Sequence, residues 1–212
     1  MRALAPALLS IALTLGASDE HAGHAGQANG GAPRFEPPAP GSYELPPIGR
    51  VADAQLLDEA GAAAPLLALR PGEAALVSFV YLSCPDACPT ATATFAALDA
   101  RLAERPALAR RVELVTVSFD PARDTPEKMA ALRDALAPRG RWRFATAASA
   151  AAIEPVLADF GQDAAPLDDT GLVRHVLKVF LIDGERRIRN VYSAGFLDVR
   201  LLLADLETVL GG

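Results

Sequence analysis

The sequence from residue 74 to residue 89 reads AALVSFVYLSCPDACP. Its apolar first part predicts a strand over residues 74–82 that is buried on both faces. Cys84 and Cys88 are the only cysteines in the chain, and Pro89 is suited to the first turn of a helix. Unpaired backbone N–H groups at a helix start favour a thiolate over a thiol. The pattern therefore predicts two thiolates that either bind a soft metal or attack a disulfide.

A strand followed by a helix, here running from Pro89 to about residue 104, is half of a βαβ unit. Upstream, residues 51–69 indicate a β-hairpin or an irregular lead-in around the turn at 58–61. The order of elements implies an α/β domain with a mixed sheet. The predicted elements that follow are a strand at 112–119, a helix from 126 to 138 with Asp124 or Thr125 as its cap, a strand at 142–145, a helix at 149–160, paired strands at 176–183 and 187–192, and a last helix capped by Asp198.

The chain has 212 residues, of which 51% are hydrophobic, so it can bury one sizeable core. We expect one folded domain over residues 50–212. The formal net charge of −6 argues against nucleic acid or an anionic lipid surface as the main partner.

Residues 1–17 resemble a signal peptide or an N-terminal anchor, because Arg2 precedes an apolar stretch and small residues follow it. The apolar stretch is shorter than the roughly 20 residues of a membrane span. We therefore expect an exported protein, either periplasmic or anchored at the periplasmic face of the inner membrane. An exported compartment is oxidising, so a cysteine pair tends to form a disulfide there unless a metal or a reductase prevents it.

Residues 18–49 are rich in Gly, Ala and Pro and are predicted to form a flexible linker. This segment contains His21 and His24. Two interpretations stay open: the histidines are solvated residues of a tail, or they form a weak auxiliary site for copper or zinc.

The cysteine pair needs a further ligand, because two cysteines do not complete a structural metal site. His175 is the only histidine of the predicted domain, and it lies just ahead of a late strand. In α/β sheets such a position can lie near the strand ends that carry the functional loops. A set of two cysteines and one histidine is soft enough for Cu(I), and a further ligand or water would suit Cu(II). The alternative is a histidine with ordinary hydrogen bonds at a strand start.

Four other residues are candidates to surround the metal ligands and tune them. Asp86 lies between the cysteines, where a surface turn is the alternative. Asp120 and Asp124 follow the second predicted strand, where a turn and a helix cap are the alternative. Tyr81 ends the first strand, and core packing is the alternative for its ring.

Three motifs in this order resemble the Sco (SenC-type) copper chaperones of cytochrome c oxidase assembly. They are CPDACP at 84–89, DPARDTP at 120–126, and His175 ahead of VFLIDG at 179–184. The resemblance covers about residues 66–210. It implies a thioredoxin-like fold, an N-terminal signal or anchor, and copper bound by Cys84, Cys88 and His175.

Two hypotheses of function use the same cysteine pair. In the first, which is not an enzyme, the protein is a metallochaperone that delivers copper to the binuclear copper site of a respiratory cytochrome c oxidase. Its partner is then the copper-receiving oxidase subunit or another copper chaperone. In the second, the protein is a thiol-disulfide reductase that keeps the copper-ligand cysteines of the oxidase reduced, with Cys84 attacking and Cys88 resolving. Peroxide reduction or redox sensing is a third, weaker hypothesis.

Overall fold

The computed structural model describes residues 35–84, 87–162, 164–166 and 173–211, without the side chains of residues 87, 164–166 and 173–175. The predicted signal segment 1–17, His21, His24 and Asp86 lie outside the described residues. The chain divides into two units, Met1–Glu36 and Pro37–Gly212, and every element below belongs to the second. No helix within the described ranges is both long and apolar enough to cross a membrane.

Strands and helices alternate through most of the described chain. The strands are β1 Gly49–Arg50, β2 Gln55–Leu57, β3 Ala63–Pro65, β4 Ala74–Val80, β5 Val112–Ser118, β6 Trp142–Ala145, β7 Ala164–Pro166, β8 Val173–His175, β9 Lys178–Asp183 and β10 Arg187–Ser193. The helices are α1 Ala87–Ala103, α2 Pro106–Ala109, α3 Pro126–Leu136, α4 Ala150–Asp159 and α5 Val199–Gly211, with a 3-10 helix at Ala194–Phe196. Strands β1, β7 and β8 and helix α2 were not predicted, because segments this short carry no readable periodicity.

The main sheet has six strands in the order β1-β10-β9-β4-β5-β6. Strands β4, β5 and β6 are parallel to one another, whereas β9 runs antiparallel to β4, and β10 runs antiparallel to β9. Every residue of β4 and β5 is buried, as the continuous apolar runs predict for strands covered on both faces. The predicted α/β class and the mixed sheet are confirmed.

The sheet has a hydrophobic core on each face, and β4 supplies both because successive side chains point to opposite faces. Phe79 lies in the first core, and Leu76 lies in the second. The first core is covered by the β2–β3 hairpin and α4, the second by α1, α3 and α5. Cys84 and Cys88 belong to the first core. The cysteine pair is therefore placed by packing as well as by the strand before it.

The cap predicted for α5 is confirmed, and α4 also begins with a side-chain cap. The Ser149 side chain accepts from Ala152 N at the start of α4, and Asp198 Oδ1 accepts from Arg200 N at 2.8 Å at the start of α5. At the start of α3, Thr125 makes no side-chain capping bond. Thr125 is the N-cap residue of α3, which is one of the two predicted alternatives, but the predicted side-chain bond to the helix start is absent, and the Asp124 carboxylate bonds elsewhere, as described below.

Residues 51–69, which precede β4, were predicted to form either a β-hairpin or an irregular segment. The structure has the hairpin. Strands β2 and β3 pair antiparallel around the turn at 58–61. Asp58 Oδ1 accepts from Ala60 N at 2.9 Å and from Ala62 N at 2.8 Å, which closes the turn.

Residues 41–50, at the end of the segment predicted as a linker, contact helix α5 and strand β10. Gly41 N donates to Thr208 Oγ1 at 3.0 Å, and the Tyr43 hydroxyl donates to the carboxylate of Asp205. Leu45 O accepts from Arg189 Nε, and β1 pairs with β10. We refer to residues 41–50 as the strap. Strand β1 lies at the end of the sheet opposite the cysteines, since it pairs with the beginning of β10 and the cysteines follow the end of β4.

The turn between β9 and β10 makes a close approach to the chain before β4. A Cβ atom at Gly184 would lie 2.3 Å from the carbonyl oxygen of Arg70, which is backbone and cannot turn aside. We expect Gly184→Ala to lower the free energy of unfolding by about 2 kcal/mol, measured by chemical denaturation. Gly195→Ala is the control, because a Cβ there meets nothing within 4 Å. Equal stability of the two variants would contradict the prediction.

Candidate metal centre

The cysteine loop begins where β4 ends. Cys84 N donates to Tyr81 O at 3.1 Å, which forms a tight turn after the strand. Helix α1 begins at Ala87, so Cys88 is its second residue. Cys84 therefore lies in the loop after β4, and Cys88 lies in the first turn of α1.

The structure brings the two cysteines together at the start of α1. Cys84 Sγ accepts from Cys88 N at a donor–acceptor distance of 3.5 Å. The first backbone N–H groups of a helix have no partner within the helix. The Cys84 sulfur thus accepts a hydrogen bond from one of these groups, that of Cys88. Cys84 is 8% exposed and Cys88 is 4% exposed, so both thiols are largely shielded from water. They are not joined by a disulfide.

Burial dominates the acidity of Cys88. Desolvation raises the pKa of this thiol to about 12, a hydrogen bond from the Tyr81 backbone lowers it, and the neighbouring Cys84 and the charge of Asp124 raise it further. The prediction that the helix start favours a thiolate is therefore wrong for Cys88, because the loss of water outweighs the favourable backbone groups. Without metal, Cys88 is a thiol at neutral pH.

Asp124 ties the end of β5 to the cysteine loop. Its side chain is buried, and Oδ2 accepts from Leu82 N at 2.9 Å and from Ser118 Oγ at 2.6 Å. Leu82 is two residues before Cys84 in the chain. The Asp124 side chain thus supports the loop that carries Cys84 instead of capping α3.

Asp120 shapes the turn that presents Asp124. Its backbone oxygen accepts from Arg123 N at 3.0 Å and from Asp124 N at 2.8 Å. Its side chain is largely buried and forms an ion pair with Arg123, with an N–O distance of 2.5 Å. A turn explains the backbone contacts of Asp120, as the alternative interpretation proposed, whereas the ion pair with Arg123 is an additional side-chain contact. The turn lies beside the cysteine loop because β5 is parallel to β4.

Tyr81 packs in the core that also contains both cysteines. Its ring lies against Phe119, with ring centroids 5.3 Å apart. The backbone pairing of the two strands extends to this point, because Phe119 N donates to Val80 O at 3.0 Å. The sequence analysis did not select Phe119 as a site residue. Phe119 and Tyr81 directly follow the paired strand ends Ser118 and Val80. The position of Phe119 directly before Asp120 is the signal that could have identified it.

His175 is the last residue of β8, where its backbone pairs with Ala164 of β7. Its side chain is outside the described part of the structure. Strand β9 follows it after two residues, and β9 begins beside the end of β4, since Val179 pairs with Ser78. Gln162 Nε2 donates to Val176 O at 2.9 Å and so anchors the segment just after His175. The backbone of this segment therefore approaches the end of the sheet that carries the cysteines.

The described side chains of this site supply two sulfur ligands, which are soft, and no cluster of oxygen ligands, which would be hard. Among them, no three His, Cys, Asp or Glu residues form a group that could hold a metal ion. Two buried thiols at one helix start suit Cu(I) far better than Mg²⁺ or Ca²⁺, which prefer oxygen ligands. The same pair can also carry two electrons as a dithiol or a disulfide.

The SCO1/SenC family model matches residues 53–211 of the chain. No curated protein sequence matches it. The structure is similar to that of a SCO1/SenC family lipoprotein from Bacillus anthracis, with a TM-score of 0.69 and 23% identity over 79% of this chain and 99% of that chain. The predicted thioredoxin-like fold is confirmed by these likenesses.

Two further solved structures are similar to this chain. ScoI of Bradyrhizobium japonicum, with copper bound, has a TM-score of 0.61 and 24% identity over 76% of this chain and 99% of that chain. BsSco, a member of the Sco family of cytochrome c oxidase assembly proteins in which a disulfide switch was identified, has a TM-score of 0.65 and 21% identity over 79% of this chain and 98% of that chain.

Proposed function

The chain belongs to the SCO1/SenC family, and from this premise we propose that it is a copper metallochaperone whose ligands are Cys84, Cys88 and His175. The observation that carries the proposal is the pair of buried cysteines at the start of α1, with Cys84 Sγ 3.5 Å from Cys88 N. Copper is the cargo, and its recipient is the binuclear copper site of a respiratory cytochrome c oxidase. The partner is the oxidase subunit that contains this site or another copper chaperone.

The chemistry of the donor set fits copper. Thiolates are soft ligands that hold Cu(I), and an imidazole adds a borderline donor that also suits Cu(II). Both thiols belong to the core that contains Tyr81, so little water competes for the metal. Transfer then proceeds by ligand exchange, in which a thiolate of the partner replaces one ligand of this chain at a time. The exchange needs no net oxidation or reduction.

The alternative function is thiol-disulfide reduction, which the closeness of the two cysteines also favours. In this reaction the Cys84 thiolate attacks a disulfide of the partner, which forms a mixed disulfide and releases one partner thiolate. The Cys88 thiol passes its proton to the leaving sulfur as it attacks the sulfur of Cys84, which releases the second partner cysteine as a thiol and leaves a disulfide between Cys84 and Cys88. The partner gains two electrons and this chain loses two. The protein would then be an enzyme.

The cellular location is part of the proposal. Residues 1–17 serve as a signal peptide or an N-terminal anchor, and residues 50–212 form the copper-binding domain outside the cytoplasm. The domain is periplasmic or held at the periplasmic face of the inner membrane, where a copper-receiving oxidase domain is accessible.

His175→Ala separates the two functions. We expect it to lower copper affinity about 10- to 100-fold, because a ligand is lost, while dithiol exchange with the oxidase domain is unchanged. Cu(I) and Cu(II) binding to the reduced protein is measured by competition with chelators of known affinity.

The control is the double variant His21→Ala and His24→Ala, which removes the other two histidines of the chain. It should leave the tight binding event unchanged and remove at most a second, weaker one. Wild-type copper affinity in His175→Ala would refute the proposed ligand set. Complementation of oxidase assembly by the same variant then shows whether the redox function alone suffices.

A further inference from the structure

Asp124 is a buried acid in direct contact with the backbone of the cysteine loop. It is 2% exposed, and its Oδ2 atom accepts from Leu82 N at 2.9 Å and from Ser118 Oγ at 2.6 Å. A buried carboxylate is costly unless such donors satisfy it. The backbone oxygen of Asp120 is enough to form the turn. The two side-chain bonds of Asp124 are not needed for the turn, so they require another explanation.

The two contacts of Asp124 join the ends of two neighbouring strands, at the end of the sheet where the cysteines lie. Ser118 is the last residue of β5, and Leu82 follows the end of β4. The donor on Leu82 comes from the backbone, so the bond constrains the course of the loop toward Cys84. Loop geometry determines where a metal ligand points, and the groups that orient ligands also set metal affinity.

The negative charge of Asp120 is neutralised by an arginine, whereas, among the described residues, the negative charge of Asp124 is not. Asp120 pairs with Arg123, whereas Asp124 forms no ion pair within the described ranges of the chain. Asp124 Oδ2 lies 2.9 Å from Leu82 N, two residues before Cys84 in the chain, so its charge lies beside the loop that carries a proposed ligand. A fixed negative charge attracts Cu(II) more than Cu(I), because the energy of two charges is proportional to their product.

We propose that Asp124 is a positioning residue of the copper site, which holds the start of the cysteine loop against β5 and places a negative charge that favours Cu(II) over Cu(I). The inference rests on the proposed function for its effect on copper. Its effect on the loop does not depend on copper.

Asp124→Asn tests the charge with the geometry retained. The amide oxygen in the place of Oδ2 can still accept from both Leu82 N and Ser118 Oγ, because an amide oxygen has two lone pairs. We expect the ratio of Cu(II) affinity to Cu(I) affinity to fall about tenfold. For a one-electron couple this is a rise in reduction potential of about 59 mV, measured by redox titration of the copper-loaded protein. Asp134→Asn, at an exposed carboxylate of α3 that pairs with Arg133, is the control and should leave the ratio near that of the wild type.

Asp124→Ala tests the loop in the metal-free protein. Hydrogen exchange of the Leu82 amide, followed by NMR, should be slow in the wild type and in Asp124→Asn and at least tenfold faster in Asp124→Ala. An unchanged affinity ratio in Asp124→Asn, or an unchanged Leu82 exchange rate in Asp124→Ala, overturns the inference. If the wild type binds copper without using its cysteines, the proposed function fails, and the exchange experiment still decides the role of Asp124 in the loop.

Discussion

Cys84→Ser is expected to reduce the Cu(I) affinity of the reduced protein more than 100-fold, and Cys88→Ser is expected to do the same. A serine hydroxyl is a hard, neutral donor that does not deprotonate at neutral pH, whereas Cu(I) prefers thiolate sulfur. This loss exceeds the loss expected for His175→Ala, because each cysteine supplies half of the soft donors. The measurement is competition against a Cu(I) chelator under anaerobic, reducing conditions.

Ser83→Ala is the control for the cysteine variants, since Ser83 is exposed in the same loop and removes no proposed ligand. It should bind Cu(I) as the wild type does. Tight, stoichiometric Cu(I) binding by either serine variant would place the metal elsewhere in the chain. Circular dichroism of the variants should be unchanged, because serine and cysteine differ little in volume.

Asp205→Ala is expected to lower the free energy of unfolding by about 4 kcal/mol, which for a domain of this size is a fall in Tm of about 10 °C. Asp205 is 1% exposed in α5. Its carboxylate accepts from Tyr192 Oη at 2.6 Å, from Asn190 Nδ2 at 2.8 Å and from the hydroxyl of Tyr43 in the strap. Alanine would leave the buried tyrosine and amide groups of β10 without this acceptor.

The two tyrosines are reliable donors to Asp205 at neutral pH. Burial, together with the hydrogen bond to Asp205, raises the pKa of Tyr43 to about 12. Burial and the charge of Asp205 also raise the pKa of Tyr192. Tyr43→Phe removes only the donor from the strap and should cost about 1 kcal/mol. This variant measures how much the strap contributes to the domain.

Asp134→Ala is the control for Asp205→Ala, because Asp134 is exposed on α3 and pairs only with Arg133 at the surface. Its stability should lie within about 0.5 kcal/mol of the wild type, measured by thermal and chemical denaturation. A similarly small effect of Asp205→Ala would show that the buried network adds little. The stoichiometry of copper binding should not change in Asp205→Ala, since Asp205 hydrogen-bonds to β10 and the strap and not to the cysteine loop.

The longer elements of the fold could be predicted from the chain because their signals are local. The apolar runs of β4 and β5 indicate buried strands, and the proline and acidic cap residues mark helix starts. The strand pair β9–β10 could be located from the turn at Asp183 and Gly184. The shortest elements, such as β1 and β8, are formed by pairing with distant strands and leave no pattern of their own in the sequence.

Some features of the candidate site can likewise be predicted from neighbouring residues in the chain, and others depend on residues far apart in the sequence. The positions of Cys84 at a loop end and Cys88 at a helix start follow from residues that are neighbours in the chain. The sequence by itself determined the class of fold, the cysteine pair and the family resemblance. The tertiary structure alone decided that burial makes Cys88 a weak acid, that Asp124 bonds to the cysteine loop, and that the strap reaches Asp205. Each of these depends on water exclusion or hydrogen bonds between residues far apart in sequence, which no local pattern of residues encodes.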